Sequence, residues 1–332
     1  MTPATAWKGS SLDWRQEGLV PLSPDELAEI DAALVHLHGL GDLDFPDITA
    51  ARFPLPRFGA RLAGFRDELR YGAGFKLLRG LPRARYDDDD FARIYFGLGA
   101  HIGAAMTQSR QGELLGHVVN ISDADPSVRG YQYGGGQNMH SDSCDIIGLM
   151  CFRAAESGGA SRIVSALAIL DELERTRPDL AALHRQGFIY HRNDLDAQLG
   201  DGVAVRPIPI ATFVPSGGEL SCYLGTNYAL KAAELGDVVL SDLQREAIAA
   251  VQRIATLPEL YLDMSIGEGD IQFLNCLIQM GCRVTQYAEG ITVSGRAERG
   301  IDVDMNAISD TAQTLAVVAL FAEGPTTIHG VS

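Results

Sequence analysis

Positive charge is what this sequence has least of. Its 332 residues hold 27 Lys and Arg against 43 Asp and Glu, a formal net charge of −16. Nucleic-acid binding depends on Lys and Arg displacing counterions from phosphates, so this balance argues against such a partner. The same sign opposes docking on anionic lipid. Cysteine is also scarce: Cys144, Cys151, Cys222, Cys276 and Cys282 are five in number, with no C-x-x-C spacing. That excludes a disulfide framework or a structural zinc of the usual pattern and fits a reducing, cytoplasmic setting. No long apolar run exists. The stretch Leu315 to Ala322 falls far short of the ~20 residues a membrane span needs. MTPATAWKGSSLDWRQEGL lacks the basic-then-apolar order of a signal peptide. Neither G-x-x-x-x-G-K-S/T nor G-x-S-x-G occurs, which removes the usual marks of P-loop and α/β-hydrolase chemistry.

What remains is an apolar fraction of 46%, enough for a substantial core and a protein that handles small molecules. The first 100 residues read as helical. Ser23-Pro24-Asp25-Glu26 combines an N-cap, a first-turn proline and a capping-box glutamate, with Leu27, Ile30, Leu34 and Leu37 on one face behind it. RFGARLAGFRDELRYG predicts a helix ending near a left-handed Gly72, followed by a buried strand in GFKLLRGLP (Gly74 to Pro82). Asp87 to Asp90 opens a further helix as first-turn acids rather than as a metal site. Gly97-Leu98-Gly99 within it has the wrong spacing and context for a dinucleotide loop.

From about residue 140 the pattern turns to β. CDIIGLMCF, SRIVSA, VRPIPIATFV, ELSCYL, LYLDMSI and DIQFLN are short apolar runs separated by turns. Two helices are expected among them, one through ALAILDELERTRPDLAALHRQ and one capped by Ser241 and Gln244. Strands with helical insertions and no βαβ rhythm suggest a double-sheet barrel, mainly β with added helices, in one domain. Its parts are a helical stretch over 1–100, a β core over 131–275 and an atypical segment over 276–332.

Within the β region, Tyr133-Gly134-Gly135-Gly136 predicts a loop, and Gln137-Asn138-Met139-His140-Ser141-Asp142 follows it. On extended backbone a histidine and a carboxylate two residues apart project to one side. They can supply two of the three ligands of a 2-His-1-carboxylate site for non-haem iron. After the strand at Cys144 to Phe152 comes Gly158-Gly159-Ala160-Ser161, then a strand and a helix. This order resembles the taurine dioxygenase (TauD/TfdA-like) family of clavaminate synthase-like oxygenases, and the resemblance runs from about residue 60 to 275. It implies a double-stranded β-helix (jelly roll), an Fe(II) ion on His140 and Asp142, and 2-oxoglutarate held by Ser161 and an arginine. The implied reaction hydroxylates a small organic substrate with release of succinate and CO2.

The resemblance then stops. The family places its second metal histidine eight residues beyond the strand phenylalanine. Counted from Phe273, that position holds Gly281, followed by Cys282 and Arg283, and no histidine lies between 192 and 328. His329, His191 and Cys282 are the candidates to replace it. Arg296 has the better spacing for the cosubstrate carboxylate than Arg299, the only other later arginine. The missing histidine also raises an alternative, a catalytically impaired relative that binds a small molecule without turnover. A third reading, a thiol hydrolase using Cys144 or Cys151, meets the objection that both sit in an apolar strand. Substrate and oligomeric state, homo-oligomer included, are left open by the sequence.

Overall fold

Capping chemistry starts the first long helix where the sequence places it. Ser23 Oγ accepts from the Glu26 amide and the Glu26 carboxylate accepts from the Ser23 amide, at the head of the helix Pro24–Gly39. The computed structural model describes residues 6–107, 112–118, 138–142, 144–154, 160–191, 209–216 and 219–275, together with strands at 283–287, 290–294, 302–304 and 327–329. The loop expected at 133–136 lies outside the described residues.

In chain order, α1 (Trp14–Glu17) and β1 (Leu19–Pro21) precede α2 (Pro24–Gly39) and α3 (Phe58–Tyr71). Then come β2 (Phe75–Arg79), α4 (Asp88–Ile102), β3 (Ile146–Met150) and β4 (Ser161–Val164). The helices α5 (Ala166–Thr176) and α6 (Pro178–Gln186) lead to β5 (Phe188–Ile189), β6 (Pro209–Ile210), β7 (Phe213–Ser216) and β8 (Glu219–Cys222). Finally α7 (Thr226–Glu234) and α8 (Asp242–Ala255) lead to β9 (Tyr261–Met264) and β10 (Ile271–Asn275).

Strand β10 is the centre of the largest sheet, in the order β1-β2-β10-β3. It runs antiparallel to both neighbours, with Gln272 opposite Leu77 on one side and Leu149 on the other. A separate antiparallel pair sets Ser161 of β4 opposite Met264 of β9. Alternation gives β2 an apolar residue for each face: Leu78 joins the core built by α2, α3 and α4, whereas Phe75 and Leu77 join Trp14, Leu262 and Met264 on the other face. A further core lies among α5, α6 and α8, centred on Leu173, Leu180, Phe188, Phe213 and Val251.

Three expectations need correction. Gly72 follows α3 but at φ −98, not in the left-handed region; glycine fits there because a Cβ would stand 2.5 Å from the Glu68 carbonyl oxygen. The single helix expected through ALAILDELERTRPDLAALHRQ is two. Arg177, directly before Pro178, adopts φ −147 and ψ 71, as the proline ring disfavours helical backbone on the residue ahead of it. A mainly β fold is met only in part, because helices occupy more of the described chain than strands do and the sheets described are small. The helix expected to open at Asp87 to Asp90 is present as α4, and the Asp87 carboxylate caps it by accepting from the Asp90 amide.

The chain divides into two compact units, Met1–Ile278 and Gln279–Ser332. In the second, β11 (Arg283–Tyr287) and β12 (Gly290–Ser294) form an antiparallel hairpin. There β13 (Asp302–Asp304) pairs in parallel with β14 (Thr327–His329). No helix among the described residues is long and apolar enough to cross a membrane.

Candidate metal and cosubstrate site

Three backbone anchors set the direction of the His140–Asp142 segment. The Ser141 amide donates to the Leu224 carbonyl at 3.3 Å, and Ser141 Oγ accepts from the Leu224 amide at 2.7 Å. The Met139 carbonyl accepts from Gln252 Nε2 on α8 at 2.7 Å, and the same nitrogen reaches Thr226 Oγ1 at 3.1 Å. With Ser141 turned onto the segment between β8 and α7, its two neighbours turn the other way. His140 Nε2 stands 3.8 Å from Asp142 Oδ1, both side chains being about two-fifths exposed.

The tautomer follows from the next contact. His140 Nδ1 lies 2.8 Å from the Asn138 carbonyl oxygen, an acceptor only, so Nδ1 carries the hydrogen and Nε2 offers its lone pair. A histidine whose second nitrogen donates to a backbone carbonyl is oriented for metal binding through the first. In donor chemistry the pair suits Fe(II), one imidazole nitrogen and one carboxylate beside each other. In number it falls short, since no group of three His, Cys, Asp or Glu side chains that could hold a metal occurs among the described residues.

Of the replacements for the absent histidine, His191 is engaged elsewhere: its Nδ1 lies 2.7 Å from Asp237 Oδ2 and its amide donates to the Tyr228 carbonyl. Cys282 and Arg296 lie outside the described residues, and His329 belongs to β14 of the second unit. Cys144 and Cys151 flank β3 rather than lying within it, both partly buried. Burial, with the Asp270 and Glu268 carboxylates nearby, raises the Cys151 thiol, the opposite of what a thiolate nucleophile requires.

Beside the pair stands an aromatic group. The rings of Tyr223 and Tyr228 lie 5.8 and 6.2 Å from that of Tyr190. Gly225 makes room for all three: a Cβ there would come within 2.8 Å of Tyr190 and 3.1 Å of Tyr223. Burial first, then Tyr228 and the Asp142 charge, push the Tyr223 hydroxyl up to about 12. Tyr223 is therefore a neutral, amphipathic neighbour of the carboxylate. The sequence gave no sign of α7, the helix that carries Tyr228.

Ser161 Oγ lies on β4 and donates to Gln272 Oε1 of β10 at 2.8 Å, bridging the β4–β9 pair and the four-stranded sheet. Gln272 is fully buried, and its Nε2 has no hydrogen-bond partner among the described residues. A buried donor without an acceptor is costly, so this one marks a place where an acceptor belongs. That suits a carboxylate-bearing cosubstrate at Ser161. Sequence reasoning missed Gln272 because a glutamine in an apolar strand carries no spacing signal.

Comparison with known proteins bears directly on this arrangement. Residues 41–296 match the family described as Taurine catabolism dioxygenase TauD, TfdA family. FR-33289 synthase of Streptomyces rubellomurinus is 27% identical over 305 residues, covering 89% of this chain and 88% of that protein. A solved asparagine oxygenase, in complex with Fe(II), 2S,3S-3-hydroxyasparagine and succinate, shares the fold at a TM-score of 0.59 and 15% identity, over 78% of this chain and 85% of that one. A different kind of relative matches only a short stretch. The chloroplastic 3-phosphoshikimate 1-carboxyvinyltransferase of Arabidopsis thaliana is 48% identical over 73 residues, 20% of this chain and 14% of that protein. The match over most of the chain places it in the TauD, TfdA family of Fe(II)- and 2-oxoglutarate-dependent oxygenases.

Proposed function

We propose that within this class the protein hydroxylates a small organic substrate, with His140 and Asp142 as metal ligands and Ser161 and Gln272 at the 2-oxoglutarate carboxylate. The observation that carries this reading is the 3.8 Å approach of His140 Nε2 to Asp142 Oδ1, with Nδ1 tied to the Asn138 carbonyl. When bound, the metal and cosubstrate would supply the oxidation, in which O2 gives one oxygen atom to 2-oxoglutarate, leaving succinate and CO2, and the other to a substrate C–H bond, which becomes C–OH. The chain's own part is orientation. Asn138 and Leu224 fix the ligand-bearing segment, Ser161 fixes the Gln272 amide, and Tyr190 and Tyr223 give the substrate side an apolar wall.

A small polar substrate agrees with the ligand named for the asparagine oxygenase structure, and with the acidic surface that disfavours polyanions. A jelly-roll barrel, in which the four-stranded sheet and the β4–β9 pair form facing walls, is the architecture this function implies. The family match over most of the chain favours an oxygenase over a barrel that binds without turnover. Anaerobic Fe(II) titration, followed by succinate release under oxygen, tests the reading. Binding and turnover above the His140→Ala and Asp142→Ala variants support it, and their absence contradicts it.

A further inference from the structure

We infer that Gln272, not Ser161, is the side chain that donates to the cosubstrate carboxylate, and that Ser161 is a positioning residue acting through it. This rests on the 2-oxoglutarate reading above. Along β10, Ile271 and Phe273 face the helical core, so Gln272 between them faces the opposite side. There its strand partner Leu77 and Ser161's partner Met264 share one apolar cluster. The amide thus sits between the two sheets with no water-exposed surface. Ser161 has one hydroxyl hydrogen, and in this arrangement it is spent on Gln272 Oε1. That contact fixes the amide plane and leaves both Nε2 hydrogens for an acceptor, which none of the described residues provides. A carboxylate oxygen is the acceptor that would gain most from a buried, pre-oriented amide donor.

Calorimetric titration of 2-oxoglutarate into the anaerobic Fe(II)-loaded full chain tests this, with far-UV circular dichroism and Fe(II) binding as controls on folding. Gln272→Met keeps the volume without the donor, and Gln272→Glu keeps the shape with acceptors only. Both should weaken 2-oxoglutarate at least ~10-fold, Ser161→Ala should weaken it less, and the Gln272→Met/Ser161→Ala double variant should be no worse than Gln272→Met alone. Folded Gln272→Met that binds as the wild type does, or a loss from Ser161→Ala equal to or larger than that from Gln272→Met, overturns the assignment. Should wild type bind no 2-oxoglutarate, the functional reading itself falls, and this inference with it.

Discussion

Ser141 Oγ accepts the Leu224 amide at 2.7 Å, and this one hydrogen bond turns the residue between His140 and Asp142 away from both. Ser141→Ala leaves that amide without its partner, at a cost of about 1–3 kcal/mol. The freed segment should lose Fe(II) affinity, while Ser141→Thr, which keeps the hydroxyl, retains it. Anaerobic Fe(II) titration and thermal melts of the two variants check this.

His184 is buried, with Nε2 3.0 Å from the Ala247 carbonyl and Nδ1 2.9 Å from Thr212 Oγ1. Burial lowers its pKa from the ordinary 6.5. The unfolded chain then binds the proton more readily than the folded one, so stability is complete above about 6.5 and falls as pH drops below it. The melting temperature should decline between pH 7.5 and 5.5. His184→Gln should lower it at both values and flatten that decline.

Asp270 is almost fully buried and receives Arg79 through Nε at 3.1 Å and Nη2 at 2.6 Å, along with the Gly267 amide at 2.8 Å. It holds the turn that enters β10, the strand carrying Gln272. Asp270→Ala strands these donors and should cost about 3 kcal/mol, near the low end for breaking a buried pair because Arg79 stays partly exposed. Urea unfolding measures it.

Gly97 lies in α4, where a Cβ would meet the Phe53 ring at 2.4 Å. Gly97→Ala should destabilise by about 1–3 kcal/mol through overpacking, despite alanine's better helix propensity. Its glycine serves the packing of α4 against Phe53.

Helix starts were the most legible part of the sequence, since Ser23, Asp87 and Ser241 each satisfy amides through a local pattern. The alternation that joins His140 to Asp142 was legible for the same reason. Contacts between distant strands were not. Gln272 meets Ser161 across 111 residues, and Gly72 is needed for a close approach to a carbonyl that no local pattern discloses. Nor could spacing show that His191 belongs to Asp237, because that pairing depends on where α7 ends.

The most direct test of the whole account is anaerobic Fe(II) and 2-oxoglutarate binding to the full chain, followed by succinate yield on admitting oxygen. Both binding events are expected in the wild type, with succinate above the level of a His140→Ala/Asp142→Ala double variant. Equal succinate from the two proteins, or Fe(II) binding unchanged in the double variant, would contradict it.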